Sequence, residues 1–142
     1  MSHGDQGKPN IFPFLRYQDA PAALRWLSAA FGFEEQLVVP GPDGTIAHAE
    51  MRLGAGSIML GTLTPERRHF GRKTAKKLGA VNQGIYVCVD DIDAHYAHAK
   101  AAGAEILQPI QDEDHGRGYV ARDPEGNLWS FGSYMPGRSR EQ

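Results

Sequence analysis

One order of predicted elements occurs twice along the chain, and this repeat constrains the fold more than any other feature. Asp19 can cap a helix at its start, and Gly32 can end the same helix in a left-handed conformation. Further on, Asp90 or Asp91 can cap a second helix, which Gly103 ends. Asp19 and Gly32 are separated by the same thirteen positions as Asp90 and Gly103. A duplicated unit explains this spacing better than coincidence does.

Short apolar or alternating runs around both helices predict the strands. These runs are Ile11–Tyr17, Glu35–Pro40, Ile46–Leu53 and Ser57–Thr62 in the first copy, and Gly84–Val89, Glu105–Leu107, Tyr119–Arg122 and Leu128–Tyr134 in the second. Each copy therefore has the order βαβββ, and the predicted class is α+β. We expect one domain over residues 10–135, with modules at about 10–62 and 84–135, a linker at 63–83, and disordered tails at 1–9 and 136–142.

Composition narrows the classes of partner. A formal net charge of -2 gives no electrostatic reason to expect nucleic acid. The polar first residues lack the apolar core of a signal peptide, and no run approaches the roughly 20 apolar residues that cross a bilayer. The single cysteine, Cys88, allows no intrachain disulfide and favours a reducing compartment. We therefore predict a cytoplasmic protein whose partner is a small molecule, with no membrane contact.

Three segments carry a resemblance to a known family. They are FPFLRYQDAPAALRWLSAAFGFEE, VDDIDAHYAHAKAAGAEI and ARDPEGNLWSFGSY, and the third is the most specific because its turn Asp123–Gly126 leads into the last strand. The chain resembles the vicinal oxygen chelate superfamily of glyoxalases, bleomycin-resistance proteins and extradiol dioxygenases. The resemblance covers about residues 10–135.

The resemblance implies a curved eight-stranded mixed sheet, a cup with the ligand inside and the helices outside, and it implies a homodimer. Catalytic members hold a divalent metal through His, Glu or Gln on the first and last strands of each module. Here those positions fall on Phe12, Met59, Gly84 and Ser130, none of which is a usual ligand of such metals. We therefore predict no conventional metal site and no cofactor, while a divalent metal held by other residues stays an open alternative.

Period-two alternation predicts which side chains face the cup. If Phe12 faces inward, so do Phe14 and Arg16, and Tyr86 shares the face of Gly84. In the other strands the predicted inward residues are His48, Glu50, Arg52 and Tyr119, the last at the place that His48 takes in the first module. An aromatic hollow with a few polar groups is typical of a small-molecule site.

Two groups of polar side chains offer chemistry in this hollow. His48 and Glu50 could act as a base and its orienting partner, or start a displaced metal site, although a solvated strand face explains them too. Arg16 and Arg52 could grip a carboxylate or phosphate with paired hydrogen bonds, or serve the surface alone.

Two further segments are candidates for ligand contact. The glycine-rich stretch around His115 and Arg117 could fold over the ligand as a lid, or merely connect two strands. The basic connector 64–83 could form an electropositive lip that attracts anions, or a solvated loop.

Three functions remain in competition on these grounds. The first is a metal-independent small-molecule binder comparable to the bleomycin-resistance branch. The second is an enzyme, either a metal-dependent lyase or dioxygenase with substitute ligands or an acid–base catalyst that uses His48 and Glu50. The third, a protein-interaction module, fits a concave aromatic face less well than a small ligand does.

Overall fold

The computed structural model describes residues 8–66 and 70–137. The chain divides into two compact units, one ending at Thr74 and the other beginning at Ala75. Most of the two tails predicted to be disordered lies outside the described residues. Among the helices that are described, none is both long and apolar enough to cross a membrane.

The first unit contains one βαβββ module. Its elements are β1 (Phe14–Tyr17), α1 (Ala20–Trp26) continued by a π-helical turn (Leu27–Phe31), β2 (Glu34–Pro40), a 3₁₀ turn (Pro42–Gly44), β3 (Ile46–Leu53) and β4 (Gly56–Thr62). The sheet order is β1-β4-β3-β2, with β1 parallel to β4 and the remaining pairs antiparallel. The helix crosses over between the two strands that flank it, β1 and β2, which form opposite edges of the sheet.

The second unit repeats this arrangement. Its elements are α2 (Ala75–Leu78), β5 (Gly84–Cys88), α3 (Ile92–Ala101), β6 (Glu105–Asp112), β7 (Arg117–Arg122) and β8 (Leu128–Gly132). The sheet order is β5-β8-β7-β6, again with one parallel pair. The α+β class and the two βαβββ modules are therefore confirmed.

The strands do not form the single eight-stranded sheet that we expected. They form two four-stranded sheets, and in the described part of the chain no hydrogen-bonded ladder joins them. The physical reason lies in the parallel pairs: β1 pairs with β4 and β5 with β8, so each module closes its first strand onto its own last strand.

The residues that begin and end the two long helices are the ones the sequence predicted, and the structure selects Asp91 between the two candidates for the second N-cap. Asp19 accepts a hydrogen bond from the backbone N–H of Ala22 at 3.0 Å, and Gly32 ends the first helix with a φ of 86°. In the second module the cap is Asp91 rather than Asp90, so the interval to the terminal glycine is one residue shorter. The π-helical turn after Trp26 explains this difference, because such a turn holds one residue more than an α-helical turn.

Each helix packs on one face of its own sheet. In the first unit the buried strand residues Leu15, Tyr17, Ala49, Met51, Ile58 and Leu60 accompany Leu24, Leu27 and Phe31 of the helical segment. In the second unit Tyr119, Ala121, Trp129 and Phe131 are buried together with Ile92 and Ala99 of α3. Burial of each large apolar side chain contributes about 1.5–3 kcal/mol, so these two layers supply most of the favourable free energy.

Three strand boundaries differ from the sequence prediction in ways that affect the site. Strand β1 begins at Phe14 instead of Ile11, because Pro13 has no N–H to donate and contributes only its carbonyl, which accepts from the N–H of Met59. Strand β6 continues to Asp112 and β7 starts at Arg117, so the predicted lid shrinks to the turn 113–116.

Candidate functional site

The open face of the first sheet, which is the face turned away from α1, gathers most of the predicted site residues. Phe14 and Arg16 of β1 lie on it, while Leu15 and Tyr17 between them are buried. Strand β3 shows the predicted alternation of burial: Ala49 and Met51 are buried, whereas His48, Glu50 and Arg52 lie on the open face. Register partners across the sheet share the face, and they include Phe14, Arg16, Glu34, Leu37, Val39, His48, Glu50, Arg52, Ser57, Met59 and Gly61.

His48 and Glu50 form the pair that the sequence suggested. His48 Nε2 lies 2.9 Å from Glu50 Oε2, and their side chains are 37% and 36% exposed. When the imidazole is neutral and its Nε2–H donates to the carboxylate, Nδ1 keeps a lone pair that can accept a proton. The arrangement therefore has the geometry of a base with an orienting carboxylate.

Arg52 does not join this pair. Its Nη2 donates to Glu34 Oε1 at 3.3 Å, and both side chains are more than half exposed. Exposed ion pairs of this kind contribute roughly 0–1 kcal/mol to the stability of the fold. This one holds the Arg52 side chain at the edge of the sheet formed by β2. Arg52 therefore takes the surface role that the sequence left open beside anion binding, and its partnership with Arg16 stays a prediction.

Arg16 extends across the neighbouring strand instead. Its Nη1 occupies the position where a Cβ on residue 61 would stand. Because Gly61 has no side chain, the guanidinium can lie flat across β4 on the open face. A larger residue at 61 would displace Arg16 and would also press on the carbonyl oxygens of Ile46 and Ala47.

A second arginine reaches this face from the connector. The guanidinium carbon of Arg72 lies 4.7 Å from the centroid of the Phe14 ring, a cation–π distance. Sequence reasoning had proposed a basic lip without singling out any residue. The connector has no periodic sequence pattern, so only its positive charge indicated that a residue such as Arg72 could reach the site.

Tyr119 is not on an open face, contrary to the prediction. It is 1% exposed and lies opposite the buried Phe131 in the β7–β8 register, while its hydroxyl is 2.7 Å from His95 Nδ1. The register shows that Gly118 takes the place of His48, so the prediction was off by one residue. A slip of one residue exchanges the two faces of a strand. Burial raises the pKa of Tyr119.

The open face of the second sheet holds fewer polar groups. Tyr86 lies on it, 41% exposed, and its hydroxyl donates to the backbone carbonyl of Tyr134 at 2.6 Å. Its ring lies against Gly132, where a Cβ would meet the hydroxyl. Partial burial, with the nearby thiol of Cys88, raises the pKa of Tyr86. Across from Tyr86 stands Ser130.

The two residues of the predicted lid are separated. His115 is exposed in the short turn, with its ring 5.2 Å from that of Tyr134. Arg117 belongs to β7 and turns toward α3, where it donates to Asp93 at 3.1 Å and 3.2 Å, and it also donates to Asp112. Both carboxylates raise the pKa of Arg117. Arg117 thus ties a helix to its sheet and does not face a ligand on the open face.

The four positions at which the family resemblance would put metal ligands carry unsuitable groups. Phe12 precedes β1 and is 40% exposed, Met59 and Ser130 are half-buried on the two open faces, and Gly84 has no side chain. A phenyl ring, a thioether and a lone hydroxyl do not fit the ligand preferences of divalent Zn, Ni, Fe or Mn. Within residues 8–66 and 70–137, no three His, Cys, Asp or Glu side chains come together as a metal-holding group.

Comparison with known proteins agrees with this architecture. The model of the Glyoxalase/Bleomycin resistance protein/Dioxygenase superfamily matches residues 11–131, and the chain belongs to this superfamily. An uncharacterised protein of Mycobacterium tuberculosis is 34% identical over 126 residues, which are 88% of this chain and 74% of the relative.

A solved structure and an enzyme extend the comparison. The crystal structure of TioX from Micromonospora sp. ML1 has a TM-score of 0.73 at 35% identity and covers 89% of this chain and 99% of that protein. The 4-hydroxyphenylpyruvate dioxygenase of Caenorhabditis elegans is 31% identical over 131 residues, 84% of this chain. Those residues are 33% of the enzyme, so the chain spans about a third of its length.

Proposed function

We propose that the protein binds a small organic molecule on the open face of its first sheet, without a metal at the usual family positions. The observation that carries this proposal is a group of exposed large apolar side chains beside a hydrogen-bonded polar pair. Phe14, Leu37 and Val39 are 55%, 46% and 41% exposed, and they flank His48 and Glu50. Apolar surface around a few oriented polar groups is the usual composition of a ligand site.

The family name covers both binding and catalysis, because it lists bleomycin resistance proteins beside glyoxalases and dioxygenases. Metal-independent binding is favoured here because the family's metal positions carry Phe12, Met59, Gly84 and Ser130, which are poor metal ligands. The similarity to the nematode dioxygenase covers only part of the enzyme. Its reaction is therefore not transferred to this chain.

A thermal-shift screen of metabolites tests the proposal. A ligand at 100 times its dissociation constant stabilises a protein by about 2.7 kcal/mol. We expect His48→Ala and Glu50→Ala to weaken a hit about tenfold, because each removes one member of the polar pair. His98→Ala is the control, since His98 is an exposed residue of α3 in the other unit. Hits that neither variant of the pair affects would contradict the proposed location.

The metal content of the purified protein tests the second half of the proposal. We expect dialysed protein to retain no stoichiometric Ni, Zn, Fe or Mn, because the side chains at the family positions are poor ligands. Retention of one ion per chain would instead favour the metal-dependent lyase or dioxygenase alternative.

Acid–base catalysis is the second candidate, and the 2.9 Å contact between His48 and Glu50 favours it. In such a reaction His48 Nδ1 would remove a proton from an activated C–H group and return it to another position. A screening hit incubated in heavy water should then incorporate deuterium, as measured by mass spectrometry. Glu50→Gln keeps the side-chain shape but removes the charge that stabilises imidazolium, so exchange should slow about a hundredfold. Equal exchange by Glu50→Gln would exclude this role.

We also expect a cytoplasmic homodimer. Each four-stranded sheet has exposed edge strands, β2 and β6 among them, and such edges favour pairing between copies. The single thiol agrees with a reducing compartment. Gel filtration at micromolar concentration tests the oligomeric state, and elution as a monomer would refute the dimer.

A further inference from the structure

Two guanidinium groups contact the open face of the first sheet, Arg16 at Gly61 and Arg72 at the ring of Phe14. Arg16 follows Phe14 by two residues on β1, so their Cα atoms are about 6.6 Å apart on the same face. Arg16 extends across Gly61, and Arg72 stacks on the Phe14 ring. The chain as a whole has a formal net charge of -2, so this concentration of positive charge is a local feature.

Two further charged side chains of this face interact with their neighbours. Arg52 is paired with Glu34, and Glu50 accepts a hydrogen bond from His48. Glu50 is also set apart from Phe14, because Met59 stands between them in the register of β1, β4 and β3. Two strand spacings of about 4.8 Å separate Phe14, on which Arg72 lies, from Glu50.

The chemistry of the guanidinium group selects the ligand. The guanidinium carbon of Arg72 lies over the Phe14 ring, and a guanidinium on a ring face can use its in-plane hydrogen-bond donors for another partner. A guanidinium carries five N–H donors, so partners that Arg16 and Arg72 already have do not exhaust them. Paired donors of this kind match the two oxygens of a carboxylate.

The apolar side chains of the face, with Glu50 among them, can accommodate a flat ring system over Met59. The exposed ring of Phe14 begins a row that continues through Met59 and Glu50 to Leu37, and Val39 lies next to this row on β2. A planar ring system can lie on Met59 with its edge toward the aliphatic side chains of β2. An acid group on this ring system would then lie near β1, which carries Phe14 and Arg16.

We propose that the ligand class of this site is a planar organic anion, an aromatic or conjugated carboxylate, held by Arg16 and Arg72. The proposal rests on the proposed function, because it names the chemistry of a ligand bound on that same face. It reassigns the anion-binding role from Arg52 to Arg72.

The test compares three probes that share one ring system and differ in charge. Naphthoate, naphthamide and naphthylmethylammonium are titrated into ¹⁵N-labelled full-length protein, and amide shifts of β1–β4 give each dissociation constant. We expect naphthoate to bind about tenfold more tightly than naphthamide, and the ammonium probe to bind most weakly. Naphthoate binding should weaken as salt rises from about 0.05 M to 0.5 M, because salt screens the attraction between carboxylate and guanidinium, whereas binding of the neutral naphthamide should stay constant.

Single substitutions assign the effect to the two arginines. Arg16→Gln and Arg72→Gln should each weaken naphthoate about tenfold and leave naphthamide within about twofold. Arg72→Lys keeps the charge but loses the planar donors, so it should lose most of the same selectivity. Arg122→Gln is the matched control: Arg122 is a strand arginine of the second sheet, paired with Glu105 at 2.9 Å, and its replacement should change neither constant. Thermal melting confirms that each variant is folded.

Two results would overturn this inference while leaving small-molecule binding on the face intact. One is equal affinity of naphthoate and naphthamide, with shifts in β1–β4. The other is preferential binding of naphthoate that neither Arg16→Gln nor Arg72→Gln reduces. Failure of the proposed function looks different, because all three probes would then leave the β1–β4 amides unshifted and the metabolite screen would give no hit sensitive to His48→Ala.

Discussion

Asp123 is a buried carboxylate that organises the last turn of the second module. It is 2% exposed and accepts hydrogen bonds from the backbone N–H groups of Glu125 and Asn127, from Asn127 Nδ2 and from Trp129 Nε1. The bond to Trp129 fixes the largest fully buried side chain. This network gives the turn segment of the family resemblance a physical explanation, because one side chain satisfies donors of both the turn and the strand that follows.

Replacing Asp123 should therefore destabilise the fold. Asp123→Ala leaves the indole N–H and two backbone N–H groups without their acceptor, and we expect a loss of about 3–5 kcal/mol in the free energy of unfolding, as measured in urea. Asp114→Ala is the control, since Asp114 lies exposed in the turn 113–116 and its replacement should cost no more than about 1 kcal/mol. Similar losses for the two variants would show that the network contributes little.

For single strands and loops, the sequence predicted positions correctly where apolar and polar residues alternate clearly, and incorrectly where they do not. Strand β3 was predicted at its observed bounds, because four alternating apolar residues leave one possible face assignment, and the same alternation brought His48 and Glu50 together. Strand β7 has one glycine and no such alternation, so Tyr119 was assigned to the wrong face. Arg72 lies in a connector, where no period relates sequence to position, and only tertiary structure reveals its contact with Phe14.

The contact between β7 and α3 makes stability depend on pH in the alkaline range. Burial holds the pKa of Tyr119 well above its ordinary value of 10.0, so above that pH the unfolded chain loses a proton that the folded chain keeps. Because the unfolded state then binds fewer protons, the free energy of unfolding falls as pH rises, by about 1 kcal/mol between pH 10 and pH 11.

Tyr119→Phe tests this source of alkaline sensitivity. At pH 9 the variant should be about 1 kcal/mol less stable than the parent, because the hydrogen bond between the hydroxyl and His95 is lost. Between pH 10 and pH 11 its urea midpoint should fall less steeply than that of the parent. The same substitution at the exposed Tyr134 should leave the slope unchanged. An unaltered slope in Tyr119→Phe would mean that other groups cause the alkaline loss.

For the whole molecule, the two modules share a backbone arrangement but differ in the chemistry of their open faces. The strand registers relate Phe14 to Tyr86 and Glu50 to Val120, because these residues stand opposite Met59 and Ser130 respectively. Continuing the same registers relates Arg16 to Cys88 and His48 to Gly118. Duplication thus preserved the scaffold, while the positions of Arg16, His48 and Glu50 carry Cys88, Gly118 and Val120 in the second module.

This asymmetry predicts the stoichiometry of binding. If the arginines and the polar pair define the site, calorimetric titration with naphthoate should give one ligand per chain, because the second sheet offers a thiol and an aliphatic side chain at the corresponding positions. Arg16→Gln should lower the affinity of that single site without exposing another. Two equivalent ligands per chain would mean that binding follows the shared scaffold, and the side chains that distinguish the first sheet would then have no part in recognition.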